Sequence, residues 1–322
     1  MKSWTSSSAS DSGFSCSRAS RLRKDYVDTD AIASVRIAHC FLTGAAKCVW
    51  IPDARTRQRR EVLHRYQGSV RDSTASVNAF KAFLVCNGVR MGKRNPRRQA
   101  GFDWVLGQKD WSEVQRLLLQ DLFDEIRHHE KRRKSLFELI CLEVNGCPEM
   151  KACMKVLGVG VVNGFGLVAI IGRIVRFARP ASLVSYLGLN PGRRQSGKGK
   201  DIRLGIGCRG RRDMRSLLIQ GAQAVLRKTS TASRLQQWGW KLYMRKGNRN
   251  VAVAAIARKM AVQIWHLLNG NRIELPEANK ALKNKLYKLG QGMGKDRIRA
   301  MGFPTIVAWL ESHFPKTHPC KT

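Results

Sequence analysis

Two long stretches with helical periodicity constrain the fold of this chain most strongly. In residues 53–86 and again in residues 111–144, apolar side chains recur mostly at three- and four-residue steps, as on one face of an amphipathic helix. A basic loop, residues 91–100, separates them. The pattern predicts either an antiparallel coiled-coil hairpin or two ordinary helices of a bundle. The apolar positions are Val62, Tyr66, Val70, Val77, Phe80 and Leu84 in the first stretch, and Val114, Leu118, Leu122 and Ile126 in the second.

The central stretch, residues 157–227, carries the clearest local signals. Gly158, Val159 and Gly160 lie between two apolar helical segments. This arrangement resembles the turn of helix-hairpin-helix modules, which present backbone amides to a DNA phosphate. Residues 188–192 read Gly-Leu-Asn-Pro-Gly, which is a strong turn signal. Helices are predicted over residues 181–187, 214–227, 233–245 and 251–268, so the fold class is mostly α.

A polycationic segment, residues 193–215, follows this turn and is expected to be a loop. Its glycines let the backbone approach a phosphate closely. Ser196 has two interpretations: a hydroxyl that hydrogen-bonds to phosphate, or a nucleophile that attacks a phosphodiester while nearby cations stabilise the transferring group. The candidate nucleic-acid-binding residues are Gly158, Gly160, Arg193, Arg194, Lys198, Lys200, Arg203, Arg209, Arg211 and Arg212.

The charge balance identifies the class of partner. The 322 residues carry a formal net charge of +36, and 43% of them are apolar. Because cores can form, disorder does not explain this charge, which points to nucleic acid. A membrane partner is not expected, since the longest uncharged apolar run, residues 164–172, is too short to span a bilayer. Nine cysteines without a CxxC pair, and no secretory signal, predict free thiols and a cytoplasmic location.

Three carboxylates precede a predicted helix near the start of the chain. Asp25, Asp28 and Asp30 come just before residues 31–41, where Ile32, Val35, Ala38 and Phe41 share a face. One interpretation gives them to the helix cap, with Asp28 or Thr29 as the N-cap residue. The other makes them oxygen ligands for Mg²⁺ at a phosphoryl-transfer site. Spacing alone favours the cap.

Residues 155–270 contain a series of short motifs in a fixed order. They are Gly158-Val159-Gly160, Phe177, Ala178-Arg179-Pro180-Ala181-Ser182, Tyr186-Leu187-Gly188-Leu189-Asn190-Pro191, Ser196-Gly197-Lys198-Gly199-Lys200, Leu204-Gly205, Arg209-Gly210 and Leu217-Leu218-Ile219-Gln220-Gly221-Ala222. Through these ordered matches together, rather than through any single one, this stretch resembles the C-terminal domain of insertion-sequence transposases of the IS-one-ten family, in its IS-eleven-eleven branch.

The resemblance also reaches the first part of the chain. Residues 24–90 resemble the second half of the family's RuvC-like α/β domain and the start of its coiled coil, through Asp30-Ala31-Ile32-Ala33 and Trp50-Ile51-Pro52. The implied organisation is a disordered start (1–23), a RuvC-like remnant (24–54), a coiled-coil hairpin (55–146), an α-rich transposase domain with the helix-hairpin-helix-like element (147–275) and a basic tail (276–322).

The family implies a mechanism and partners. Ser196 matches the serine that attacks DNA and forms a phosphoserine intermediate. The RuvC-like domain implies a set of four acids that binds Mg²⁺, of which Asp30 is the safest match, with Asp25 and Asp28 as candidates in a shifted register. DNA, a guide RNA encoded by the element and a homo-oligomer are the implied partners. The leading expectation is a transposase that cleaves and rejoins DNA through a serine nucleophile. The first two acids of the set have no match in residues 1–24, which suggests a truncated copy and leaves its activity open. The alternative is a non-catalytic DNA- or RNA-binding remnant of such a transposase.

Overall fold

The computed structural model describes residues 14–16, 30–45, 48–194, 202–207, 210–227, 233–271 and 278–314. Over these residues the protein is mostly helical, as the sequence predicts. The chain divides into two compact units, residues 1–58 and 59–322. The RuvC-like character of the N-terminal part stays a prediction.

The first unit contains two short strands and one helix. Strand β1 (Phe14–Cys16) pairs antiparallel with β2 (Cys48–Trp50), and α1 spans Asp30–Leu42. The predicted helix is therefore confirmed. The predicted apolar face of α1 is not covered, however, since Val35 is 70% exposed and Phe41 is 67% exposed. The proposed cap residues, Asp28 and Thr29, lie outside the described residues.

Two long helices, connected through a third, short one, come next along the chain. Helix α2 spans Ala54–Cys86, α3 spans Gln99–Leu106 and α4 spans Glu113–Asn145. The long helices have 33 residues each, which is about 50 Å of helix. Ser112 begins α4 through a reciprocal capping box with Gln115. Gly88, with φ +79°, follows the end of α2, where glycine commonly ends a helix.

Helices α2 and α4 run antiparallel and touch along their lengths. The contacting residues of α2, together with Asn87 just after it, are spaced by seven or fourteen residues. Their partners on α4 occur in the opposite order along the chain. This is the spacing of two helices packed along one seam. The coiled-coil description itself stays a prediction. The contacts are Arg59 to Glu143 (2.9 Å), Tyr66 to Phe137 (ring centroids 6.3 Å apart), Ser73 to Glu130 (2.7 Å) and Asn87 to Gln115 (2.8 Å).

The predicted face of α4 is wrong at its first turns. Val114 is 66% exposed and Leu118 is 47% exposed, while Leu119, Phe123 and Ile126 are buried. The leucines at 117, 118 and 119 point in directions about 100° apart around the helix. Periodicity alone therefore could not choose which of them is buried. Helix α3, which was expected to be loop at its start, decides the packing. Its Phe102 stacks on Phe123 with ring centroids 4.3 Å apart.

Glu130 holds the middle of the two long helices together. Its Oε1 accepts hydrogen bonds from Ser73 Oγ (2.7 Å) and Arg97 Nε (2.9 Å), and its Oε2 accepts from Arg133 Nη2 (2.7 Å). Burial raises the pKa of this carboxyl, but the hydrogen bonds from Arg133, Ser73 and Arg97 outweigh it and hold the pKa below its ordinary value.

We expect Glu130→Gln to lower the free energy of unfolding by about 1–3 kcal/mol, because its partners lose a charged acceptor. A carboxyl with a depressed folded-state pKa stabilises the fold above its unfolded-state pKa, and that contribution disappears as the pH falls through the folded value. Urea unfolding at pH 7 and near pH 3 measures both effects. The difference between wild type and variant should shrink at the lower pH. Asp121→Asn, an exposed position on α4, is the control; an equal loss there would contradict the role of Glu130.

The main core surrounds α10 (Arg249–Leu268). The surrounding helices are α5 (Pro148–Met154), α6 (Val161–Ile171), α7 (Pro180–Tyr186), α8 (Arg212–Val225) and α9 (Arg234–Lys246). The helices predicted at 181–187, 214–227, 233–245 and 251–268 are confirmed within a few residues. By length and composition α10 could cross a membrane, but core helices pass the same test. Here α10 packs against α5, α7, α8 and α9.

Residues 278–314, within the predicted basic tail, fold onto the same core. They form α11 (Ala278–Met293), α12 (Lys295–Ala300) and α13 (Ile306–Ser312), and α11 packs against α4 and α13. Lys285 of α11 donates to the carbonyl oxygens of Met154 (2.7 Å) and Val156 (2.8 Å) at the end of α5. Burial lowers the pKa of Lys285 to about 8. The apolar side chains that α11 buries are Leu282, Leu286, Leu289 and Met293.

Candidate nucleic-acid interface

The polycationic segment is a β-hairpin followed by a helix, not a continuous loop. Strands β3 (Pro191–Arg194) and β4 (Ile202–Ile206) pair antiparallel, with Arg193 opposite Arg203. Helix α8 already begins at Arg212. Ser196, Lys198 and Lys200 belong to the connection between the strands, which, like Arg209, lies outside the described residues. The hairpin therefore places three predicted phosphate ligands, Arg193, Arg194 and Arg203, on its two strands next to that connection.

The segment that follows the hairpin, residues 210–215, packs against the end of α7 and the turn after it; we call this segment the hairpin root. Gly210 has φ +89°, and a Cβ there would lie 2.5 Å from Gly188 Cα. The backbone N–H of Arg211 donates to the Tyr186 carbonyl oxygen (3.0 Å), and Arg215 Nη1 donates to that of Gly188 (3.3 Å). These contacts fix the direction in which the chain leaves β4 and enters α8.

Arg211 and Arg212, both predicted to bind nucleic acid, are placed differently. The guanidinium of Arg211 makes two hydrogen bonds to the Asp213 carboxylate, at 3.1 and 2.7 Å. Burial raises the pKa of Asp213, but the bonds from Arg211 and from the Met214 N–H outweigh it and lower the pKa. Arg211 therefore serves the structure of the root, while the side chain of Arg212 is exposed to solvent.

Two further arginines lie beside the root, and sequence analysis did not single them out. Arg60 donates to the carbonyl oxygens of Ala169 (2.9 Å) and Ile170 (2.8 Å), and Arg176 donates to that of Ile171 (2.9 Å). These carbonyls end α6, where the helix dipole is negative and attracts cations. Arg60 is 109 residues away from Ala169 along the chain, so no local pattern could reveal the contact.

Arg176 also connects this region to α7. Its guanidinium carbon lies 4.2 Å from the ring centroid of Phe177 and 4.4 Å from that of Tyr186. Burial lowers the pKa of Arg60, and the charges of Arg211 and Arg176 lower it further, while Tyr186 acts in the opposite direction. Arg60, Arg176 and Arg211 thus lie close enough to influence one another. This concentration of positive charge beside the hairpin root favours a polyanionic ligand.

The two glycines of the helix-hairpin-helix-like element have different environments. A Cβ on Gly158 would lie 2.6 Å from the Gly221 carbonyl oxygen, so this glycine allows α8 to approach closely. A Cβ on Gly160 would meet no atom within 4 Å. Gly160 is the N-cap of α6. Gly158 therefore has a packing role, and Gly160 is the glycine of this turn that remains open to a ligand.

The predicted metal ligands can be examined only in part. Asp30 lies exposed in the first turn of α1, while Asp25 and Asp28 are outside the described residues. Within the described ranges, no group of three or more His, Cys, Asp or Glu side chains is arranged to hold a metal ion. Asp30 alone does not make such a site. Magnesium binding by these carboxylates stays a prediction.

These features describe a mostly helical protein with a cationic β-hairpin fastened to its core. Residues 150–237, which include the hairpin and its root, match the family model described as the transposase IS116/IS110/IS902 family. This part of the chain is therefore similar to the transposase domain of that family. The resemblance predicted from the sequence is confirmed there; the serine chemistry and the RuvC-like part are not tested by it.

Curated relatives agree with this family. The chain is 27% identical over 201 residues to a transposase for insertion sequence element IS1111A of Coxiella burnetii, covering 62% of this chain and 55% of the relative. It is 35% identical over 157 residues to a probable family 20 transposase of Pseudomonas aeruginosa, covering 47% and 45%. A putative transposase y4qE of Sinorhizobium fredii is 22% identical over 271 residues, covering 75% and 65%. The chain thus spans about half to two thirds of these relatives.

Proposed function

We propose that this chain is a DNA transposase of an insertion sequence and that it cleaves and rejoins DNA strands through Ser196. The observation that carries the proposal is the match of residues 150–237 to a transposase family model, in the region that also holds the cationic hairpin. Residues 195–201, which include Ser196, join the two strands of the hairpin. The hairpin root is held in place by the contacts of Gly210, Arg211 and Arg215. A fixed root limits the positions that Ser196 reaches, which is what a nucleophile requires.

The proposed reaction has two balanced steps. Ser196 Oγ attacks a DNA phosphorus atom, the bond from phosphorus to one sugar oxygen breaks, and the serine proton passes to solvent as the leaving hydroxyl takes one up. The product is a phosphoserine ester. The hydroxyl of a second strand end then attacks the same phosphorus and releases the serine. Because one phosphodiester replaces another, no energy source is needed. Arg193, Arg194 and Arg203 stabilise the negative charge of the transferring group.

Three partners belong to the same proposal. Mg²⁺ held by Asp25, Asp28 and Asp30 would supply charge neutralisation at the phosphate. A guide RNA encoded by the element selects the DNA, and a homo-oligomer brings two strand ends together. All of this takes place in the cytoplasm, at the chromosome. The net charge of +36 supports binding of both RNA and DNA.

A covalent adduct tests the proposal. Purified protein is incubated with labelled DNA carrying the ends of the element, with Mg²⁺, and with or without the element RNA, then denatured and separated by gel. We expect a labelled protein band with wild type and none with Ser196→Ala. Ser216→Ala is the matched control, because Ser216 Oγ donates to the Asp213 carbonyl oxygen of its own helix (2.7 Å).

The adduct experiment also separates the alternative. A protein that binds this DNA and RNA but gives no adduct in any lane would be a non-catalytic nucleic-acid-binding protein, and the enzymatic proposal would be wrong. An adduct that survives Ser196→Ala would move the nucleophile to another residue. An adduct that forms equally without RNA would remove the guide from the mechanism.

A further inference from the structure

The charged side chains of residues 127–134, the most basic run of α4, lie on different faces of the helix. Glu130 and Arg133 point toward α2, where Glu130 also binds Ser73. His128, Lys131 and Arg132 lie three and four residues apart and so share another face with Ser135. The carboxylate of this run is therefore engaged inside the helical hairpin, and the outer face keeps its positive charge.

This outer face holds a shallow depression that is open to solvent. A cavity of about 530 Å³ lies between the side chains of α4 and one residue of α2. Both long helices contribute cations to it, and Leu136 supplies an apolar wall. Its lining residues are Arg65, His128, Lys131, Arg132, Ser135 and Leu136.

The cations of this cavity are poorly neutralised. Arg65 pairs with Glu61 at 2.7 Å, but both side chains are about 60% exposed, and such surface pairs contribute little. Lys131 and Arg132 have no ion pair among the described residues. The nearby Glu125 lies 3.6 Å from His129 and is engaged there. A polyanion entering the cavity thus meets cations that need not give up a strong partner.

We infer that this cavity is a phosphate-binding site for a nucleic-acid backbone, separate from the serine-bearing hairpin. Arg132 and Arg65 present planar guanidinium groups suited to two phosphate oxygens, and Lys131 adds a point charge. The volume is within the range of ligand sites that hold small groups such as one phosphate with its sugar. A concave site favours a strand over a flat membrane surface, which an amphipathic helix with one apolar face would bind instead.

The inference is independent of the chemistry at Ser196, since all of its residues belong to α2 and α4. It assigns to the helical hairpin the task of holding a nucleic-acid segment at a distance from the reacting strand. Phosphate contacts position a nucleic acid without reading its sequence. The site is therefore expected to accept any sequence of the preferred nucleic acid.

A pair of matched double variants tests the site. Lys131→Ala with Arg132→Ala removes two cations from the cavity. Arg127→Ala with Lys134→Ala removes two from the same helix outside the cavity lining, and all four side chains are exposed. Binding of labelled single-stranded RNA and of duplex DNA oligonucleotides is measured by fluorescence anisotropy between roughly 50 and 200 mM salt, a range in which phosphate contacts dominate affinity.

We expect the cavity variant to bind at least one of the two nucleic acids about tenfold more weakly, with a salt slope reduced by about 2, one unit per lost phosphate contact. The control should lose about threefold or less, since it changes only the general field. Arg132→Gln alone should weaken binding in the same direction. Whichever oligonucleotide is affected identifies the ligand as RNA or DNA.

Equal losses in the two double variants would overturn the inference, because net charge alone would then explain binding. So would unchanged affinity in the cavity variant for both oligonucleotides. The anisotropy measurement does not use the adduct. A wild-type protein that forms no adduct, while the cavity variant still binds more weakly than its control, would contradict the strand-transfer proposal and support this inference, so the two failures give different results.

Discussion

Replacing Gly158 by alanine should destabilise the second unit by about 2–5 kcal/mol, from two costs that add. A residue with a side chain at φ +82° costs about 1–2 kcal/mol. The new Cβ would also lie 2.6 Å from the Gly221 carbonyl oxygen and 2.9 Å from Val225 Cγ2. Overpacking of this kind costs about 1–3 kcal/mol. The loop cannot withdraw easily, because Val156 and Val159 on either side are fully buried.

The measurement is urea unfolding at neutral pH, with two companion variants. Gly160→Ala should stay within about 1 kcal/mol of wild type, because its φ is −91° and no atom lies near the new Cβ, although alanine is a weaker N-cap. Gly221→Ala isolates the clash. Its Cβ would lie 2.5 Å from the Gly158 carbonyl oxygen, while alanine within a helix is otherwise favoured by about 0.5–1 kcal/mol. A stabilising effect of Gly221→Ala would contradict the close packing of the Gly158 turn against α8.

The same variants separate packing from ligand binding in this turn. Gly158 and Gly160 were predicted together as phosphate-binding positions because a Gly-Val-Gly sequence suits both purposes. The structure gives Gly158 two partners in α8, Gly221 and Val225, that are more than 60 residues away in sequence. If the helix-hairpin-helix prediction is right, Gly160→Ala should weaken DNA binding while leaving the unfolding midpoint nearly unchanged.

The sequence could predict which segments form helices and, in part, which side of each helix is buried. The helices α2, α4 and α10 follow from three- and four-residue spacing, and the ends of α2 and α7 follow from glycines at 88 and 188. Helix α11 could have been found in the same way, since Leu282, Leu286, Leu289 and Met293 keep helical steps. Its position against α4 could not, because periodicity defines a face and not the partner of that face.

The candidate site shows the same limit. The cationic segment and Ser196 were found from composition and ordered motifs, but the segment was expected to be a loop. Its strands have few β-formers besides Ile202 and Ile206, and glycine and arginine give little strand signal. The tethers at the root connect Arg211 to Tyr186 and Arg215 to Gly188. Such contacts between segments 25 or more residues apart depend on the packed core, which local patterns do not describe.

The root of the hairpin gives the second large effect, this time on the proposed chemistry. In Gly210→Ala, the new Cβ would lie 2.5 Å from Gly188 Cα, 2.6 Å from Gly188 N and 2.9 Å from the Tyr186 carbonyl oxygen. All three atoms are backbone, and φ is +89°, so the chain at 210 must move. The neighbouring Arg211 N–H would then lose its 3.0 Å bond to Tyr186, and the hairpin would leave the core in a different direction.

We expect Gly210→Ala to reduce the yield of the Ser196 adduct by about 100-fold, since a displacement near 1 Å at a reacting group has effects of that order. Gly207→Ala is the matched control: it lies on the same connection from β4 to α8, and its Cβ would meet nothing within 4 Å. Adduct yield on element DNA and the urea midpoint are measured for both. Because the hairpin lies at the edge of the core, the midpoint of Gly210→Ala should fall less than that of Gly158→Ala. A Gly210→Ala protein with full adduct yield would show that a fixed root is not what positions Ser196.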